Sequence, residues 1–350
     1  MNNATDAFAR KPLAARPGFW ALLGPGLIWM AMAQGSGELI WWPYIIAKYG
    51  LAFLFLLIPA CLLQFPLTFE IGRYTVLTGE GVFKGFFRLN RGFGIFLWVL
   101  FTLSFLWFGA FASAGGTALA SLTNFPNDQL WTPPGWVPTE QAPIWWTAGA
   151  QTLFWGQASI IVFTIAILAV RTVYRLIEWV MKIVAIVCLV GMIVACLHPD
   201  VRAQVGPFFK GLVVPDMEQM HNFDKADASI LLTAITFAGL GGFWTLFYSY
   251  WIREKGVGMA SYAPKVTGFR TGLDPIRMGE AALPADELDA SPRLRSWYRY
   301  LSLETAIGIA GNLITTLMMC LLAFALLHPA GEYPADFNIA VVQSKFFAVS

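Results

Sequence analysis

Residues Gly24-Pro25-Gly26-Leu27-Ile28-Trp29-Met30-Ala31-Met32-Ala33-Gln34-Gly35-Ser36-Gly37-Glu38 decide the fold of this chain. They read as a long apolar helix interrupted by Gly35-Ser36-Gly37-Glu38 at the depth expected for the middle of a membrane. An ionisable group there is costly unless it faces a cavity or a partner, so a carboxylate beside glycines points to a substrate site.

Composition supports the membrane. Hydrophobic residues make up 57% of the chain, charged residues 13%, and the mean hydropathy is +0.61. These values lie outside the usual range of soluble domains. Apolar runs long enough to cross a bilayer about 30 Å thick lie near 20–47, 51–77, 93–120, 151–172, 176–197, 229–252 and 299–327. That pattern predicts seven spans of an all-α polytopic protein.

Cytoplasmic loops collect Lys and Arg, and here the basic residues fall on alternate segments. Arg10, Lys11 and Arg16, then Lys84, Arg88 and Arg91, then Arg171 and Arg175, then the loop Arg253 to Arg299 share one side, whereas 121–148 holds no Lys or Arg. A cytoplasmic N-terminus in a cell (inner) membrane is expected. The first apolar run is too long, and lacks the small-residue cleavage site, for a removed signal peptide. Cys61, Cys188, Cys196 and Cys320 all lie in apolar runs, with no disulfide or zinc spacing. The net charge of +2 implies no nucleic-acid partner.

The sixth run is also interrupted, at Phe237-Ala238-Gly239-Leu240-Gly241-Gly242-Phe243. Paired interruptions five spans apart are the sequence pointer to an inverted-repeat transporter, in which freed carbonyls and helix ends coordinate an ion at the midplane.

The run Gly24-Pro25-Gly26-Leu27, the interruption nine residues after Gly26, and the downstream Leu63-Gln64, Gly72 and Thr78-Gly79 together resemble the Nramp metal-ion transporters. The resemblance implies the leucine-transporter fold and proton-linked transport of a divalent cation. The family's Asp-Pro-Gly-Asn falls on Gly35, Ser36, Gly37 and Glu38, so one carboxylate is retained but displaced along the segment. The family's sixth-span Met-Pro-His-Asn is replaced by Gly241, Gly242, Phe243 and Trp244. Loss of the thioether favours a hard, oxygen-preferring cation such as Mg²⁺ over softer metals. A divergent branch carrying Mg²⁺ or Mn²⁺ is therefore expected.

Glu38 is the expected metal ligand, with Gln34 adding a side-chain oxygen and Gly35, Ser36, Gly37, Gly239 and Gly241 forming the rest of the binding segment. Glu70 and Arg73 stand i,i+3 on one helical face, either as an ion pair or as part of a proton path. Glu178 and Lys182 read as a structural i,i+4 pair. Glu304 and Asn312 lie two turns apart, to line the cavity, serve the proton path or brace the sixth span. His198, His221 and His328 fall at outer ends. The segment from Asp216 to Asp224 reads as solvated surface, and 253–296 as a gate or docking site.

The expected organisation is an N-terminal tail (1–18), a first five-helix repeat (19–197), an external loop (198–228), two helices of a second repeat (229–327) around a cytoplasmic loop (253–298), and a segment (328–350) leading toward a further span. The second repeat thus reads as incomplete and the chain as C-terminally truncated. There is no Walker loop, nucleophile constellation or Rossmann motif, so no enzyme and no cofactor is expected. Two alternatives stand beside cation transport: a carrier of an organic solute such as an amino acid, and a non-transporting membrane protein whose site has decayed.

Overall fold

A backbone inside lipid has no water to bond, so its N–H and C=O groups must pair within the segment, and apolar runs there become helices. The computed structural model describes residues 9–34, 37–127, 147–239, 242–266, 282–284, 292–333, 342 and 346. Its main elements are β1 (Ala9–Lys11), α1 (Pro25–Gln34), α2 (Gly37–Tyr49), α3 (Leu57–Thr78), α4 (Arg91–Ser104), α5 (Phe108–Thr123), α6 (Ala148–Ala169), α7 (Val173–Cys196), α8 (Ala228–Phe237), α9 (Phe247–Lys255), β2 (Ala282–Pro284) and α10 (Pro292–Leu322).

Among the described residues, five helical stretches are long and apolar enough to cross a membrane: Leu54–Thr78, Ala148–Ala169, Val173–Cys196, Lys225–Lys255 and Pro292–Leu327. The chain is a membrane-embedded helical protein. Five of the seven expected crossings meet that criterion among the described residues. The first is described as α1, to Gln34, and α2, from Gly37, with Gly35 and Ser36 outside the described residues; in the third, a tighter turn at Phe105–Trp107 separates α4 from α5.

The sixth crossing carries its interruption in the backbone itself. α8 ends at Phe237, and Gly239 and Gly242 then adopt φ of +72° and +70°. Side chains resist that left-handed region and glycine does not. A 3₁₀ turn at Gly242–Leu246 leads into α9.

Burial ranks the helices. Half of the most apolar window of α10 is buried, against 6% for α6. Ile160, Ile161, Val162, Phe163 and Ile165 of α6 are exposed, a contiguous apolar exterior suited to lipid. With lipid as apolar as the helices, close backbone approach has to hold the bundle together. A Cβ on Gly308 of α10 would stand only 3.0 Å from the carbonyl oxygen of Gly26 in α1, and one on Gly311 would collide with the sulfur of Met30.

One end of the bundle departs from the all-α expectation. β1 pairs in parallel with β2, with Ala9 opposite Ala282 and Lys11 opposite Pro284. Beyond it Leu13 is buried, the Tyr262 hydroxyl donates to Pro12 O at 3.0 Å, and Trp297 Nε1 donates to Ala14 O at 2.9 Å. The N-terminal residues expected to be a free tail are strapped to the loop between the sixth and seventh crossings.

At the opposite end Asp227, just before α8, is buried and accepts from Lys48 Nζ at 2.6 Å, Tyr49 Oη at 2.5 Å and Tyr44 Oη at 3.2 Å, all from α2. The Lys48 ammonium also lies over the rings of Tyr44, Tyr49 and Tyr333 at 5.5–5.6 Å. The segment 198–228 is not plain loop: it holds short helices at Pro199–Ala203, Val205–Gly211 and Met217–His221, anchored by the buried Phe208. Asp216 and Asp224 accept hydrogen bonds from backbone N–H groups of Glu218, Gln219 and Ala226, in keeping with a surface role.

Candidate functional site

The Gly24-Pro25-Gly26 turn receives two carboxylates from distant helices. Pro25 occupies the first position of α1, where its missing N–H costs nothing. The neighbouring donors Gly24 N and Gly26 N both point to Glu304 Oε1 of α10, at 3.1 and 2.8 Å. Acceptance of otherwise unpaired N–H groups by a carboxylate at a helix N-terminus is favourable. A Cβ on Gly26 would stand 2.5 Å from the backbone oxygen of Glu304, and one on Gly24 would stand 2.6 Å from Glu178 Oε1 of α7. Gly26 is required by this close approach to backbone, whereas at Gly24 the atom in the way is the movable end of the Glu178 side chain.

The two carboxylates differ in their partners. Glu178 is ion-paired with Lys182 at 2.7 Å and with Lys255, at the end of α9, at 2.8 Å. The expected pair with Lys182 is present, and Lys255 is an addition that spacing along one helix cannot reveal. Glu304 is fully buried, and its Oε2 has no hydrogen-bond partner among the described residues.

Further unpartnered polar atoms lie outward of Glu304. Asn312, fully buried, has neither Oδ1 nor Nδ2 satisfied among the described residues. The hydroxyls of Thr315 and Thr316 donate instead to the Asn312 backbone oxygen, at 2.8 and 3.0 Å. On α3, Gln64 Oε1 and Thr68 Oγ1 are likewise buried without partners, four residues apart on one face. Leaving a buried polar group unsatisfied costs about 1–3 kcal/mol, so a set of such atoms calls for a functional explanation.

These atoms stand at nearly one level. α3 and the sixth crossing run side by side: a Cβ on Gly239 would lie 3.3 Å from Gln64 Cγ, and one on Gly72 would lie 3.1 Å from Tyr248 Cε1. The Tyr248 hydroxyl is 3.3 Å from Thr305 Oγ1, which fixes the height of α10 against both. From that level, Gln64 lies eight residues outward along α3 and Asn312 seven along α10, about 12 and 10 Å at 1.5 Å per residue. The difference is less than one turn.

Beside α10, Met30 of α1 meets Gly311, so Gln34, one turn further on, stands near the level of Thr315. The end of α8, where the sixth crossing is interrupted, thus lies beside Gln64, and the last described turn of α1 lies near the level of Thr315. Trp29, Tyr248 and Thr305 are packed in the core near Glu304, with the Trp29 and Tyr248 rings 6.3 Å apart.

Gly35, Ser36 and Gly241 lie outside the described residues, as do the side chains of Gln34 and Glu38. The backbone places Gln34 at the last turn of α1, and Gly37 and Glu38 at the first turn of α2. Gly239 stands at the interruption of the sixth crossing. Glu70 and Arg73 form an ion pair at 2.5 Å, but their side chains are 55% and 42% exposed, so they stand on the outside of the bundle, apart from the buried oxygens. Glu304 braces α1, not the sixth crossing. Among the described residues no group of three His, Cys, Asp or Glu gathers.

Gln64 was legible only with Leu63 in the family resemblance, and Thr68 only as a polar residue one turn further along the same apolar run; the close approach of Gly239 to Gln64 is what singles the pair out. No family model, curated protein or solved structure matches the chain.

Proposed function

We propose that this protein is a secondary carrier that moves a divalent cation, Mg²⁺ in preference to Mn²⁺, through an oxygen-lined site at mid-membrane by alternating access, with protons as the coupling ion. The observation that carries this reading is a set of buried oxygens without partners among the described residues, Gln64 Oε1 and Thr68 Oγ1 of α3 and Asn312 Oδ1 of α10, with Gln64 beside the glycine interruption of the sixth crossing. Amide and hydroxyl oxygens suit a hard cation that keeps part of its hydration shell.

Glu38, in the first turn of α2, supplies the negative charge that an incoming cation needs. Glu304, buried with one oxygen committed to α1 and the other uncommitted, is the group best placed to hold the coupled proton. A cytoplasmic N-terminus belongs to the same proposal, carried by the alternation of basic segments.

Uptake of Mg²⁺ and Mn²⁺ into proteoliposomes, with Glu38→Gln and Asn312→Leu in parallel, tests the proposal. Uptake favouring Mg²⁺ that falls about tenfold or more in both variants, each still eluting as the folded protein, is the expected result. The absence of uptake of either ion, or uptake indifferent to both substitutions, overturns it.

A further inference from the structure

A cleft of about 270 Å³ opens at the strapped end of the bundle, lined by Arg16, Pro292, Arg295, Ser296 and Arg299. Among the described residues three guanidinium groups line it, and no carboxylate does. Among the described residues none of the three arginines takes part in an ion pair. Arg295 and Arg299 stand i,i+4 on α10, an arrangement of like charges that destabilises a helix. Fold stability does not account for their convergence.

The cleft is built from both ends of the described chain. Arg16 arrives on the N-terminal strap, which is held by the β1–β2 pairing, by the buried Leu13 and by the bond from Trp297 Nε1 to Ala14 O. Arginines that serve only to orient a membrane protein need no shared cleft and no tether. Trp20, four residues beyond Arg16, is 82% exposed, as an aromatic side chain at a membrane–water interface would be.

We propose that this cleft binds the phosphate of an anionic lipid headgroup. Guanidinium forks match phosphate oxygens in bidentate fashion, and basic residues beside a membrane helix attract anionic lipids. The same chemistry would receive a free phosphate, and the two sources separate by experiment.

The full chain in detergent is titrated with phosphatidylglycerol, with phosphatidylcholine and with inorganic phosphate, and the bound species are counted by native mass spectrometry. Wild-type protein is expected to hold phosphatidylglycerol about tenfold more tightly than phosphatidylcholine, and millimolar phosphate should not displace it. Arg16→Gln/Arg295→Gln/Arg299→Gln should abolish the preference while Arg91→Gln, at the start of α4 and not lining the cleft, keeps it. If the triple variant does not fold, Arg295→Gln alone should lower the preference about threefold to fivefold.

A preference for phosphatidylglycerol that survives in the folded variants overturns the cleft as the site. Binding of phosphate with no preference for phosphatidylglycerol overturns the lipid in favour of a soluble phosphate.

Discussion

Glu178 and Glu304 reach the same turn, Gly24-Pro25-Gly26, from different helices and in opposite states. Glu178 is neutralised by Lys182 and Lys255 at the end of the bundle. Glu304 is fully buried, bonded to two backbone N–H groups, and without an ion-pair partner among the described residues. A paired carboxylate near water explains itself as structure, because each charge offsets the burial of the other. A buried carboxylate with one oxygen unpartnered among the described residues does not, which is why the proposed function gives Glu304 the coupled proton.

The turn itself should be the least tolerant point. Gly26→Ala would place a methyl 2.5 Å from a backbone oxygen that no side-chain rotation can move. We expect a loss of about 2–4 kcal/mol, read as a large drop in the thermal midpoint of the detergent-solubilised protein. Gly18→Ala, which meets nothing within 4 Å, should leave the midpoint unchanged.

Glu304 is next, and two substitutions separate its roles. Glu304→Ala removes the acceptor of two buried N–H groups and should cost about 2–3 kcal/mol. Glu304→Gln keeps that acceptor and should cost under about 1 kcal/mol while cutting cation uptake about tenfold. Unchanged uptake in Glu304→Gln would reduce the residue to a helix cap.

Glu178→Gln should be milder and different in kind. It leaves Lys255 and Lys182 without their shared anion, at a cost of about 1–2 kcal/mol. High salt should narrow the gap from wild type, which it would not do for Glu304→Ala.

Glu70→Gln stands at the bottom of the scale. Its ion pair with Arg73 is exposed, so a change within about 0.5 kcal/mol is expected. Wild-type rates of uptake at every pH tested would remove the pair from any proton path, and a selective loss of pH dependence would restore it.

The same comparison shows how much could be read along the chain. The apolar runs, the interruption at Gly239–Gly242 and the Glu178–Lys182 pair depend on residues within a few turns of one another, and local physics places them. The partner of Glu304 could not be read this way, because 278 residues separate it from Gly26. Glu304 could be seen only as a charge in an apolar helix, its neighbour left open among the cavity, the proton path and the sixth crossing. The N-terminal strap was illegible for the same reason: three residues of β1 carry no signal until β2 supplies their hydrogen bonds. For Glu38 the sequence supplies its place between glycines, and the backbone adds the start of α2.

By itself, then, the sequence determined that this is a helical membrane chain with two glycine interruptions, because lipid allows little besides helices and glycine weakens them wherever it falls. Tertiary structure alone decided which polar groups are satisfied. Glu178 found two lysines, Glu304 found a backbone turn, and Gln64 and Asn312 found nothing among the described residues. Each outcome depends on which side chains and backbone groups of neighbouring helices come within about 3 Å of one another, a property of packing that no single segment contains.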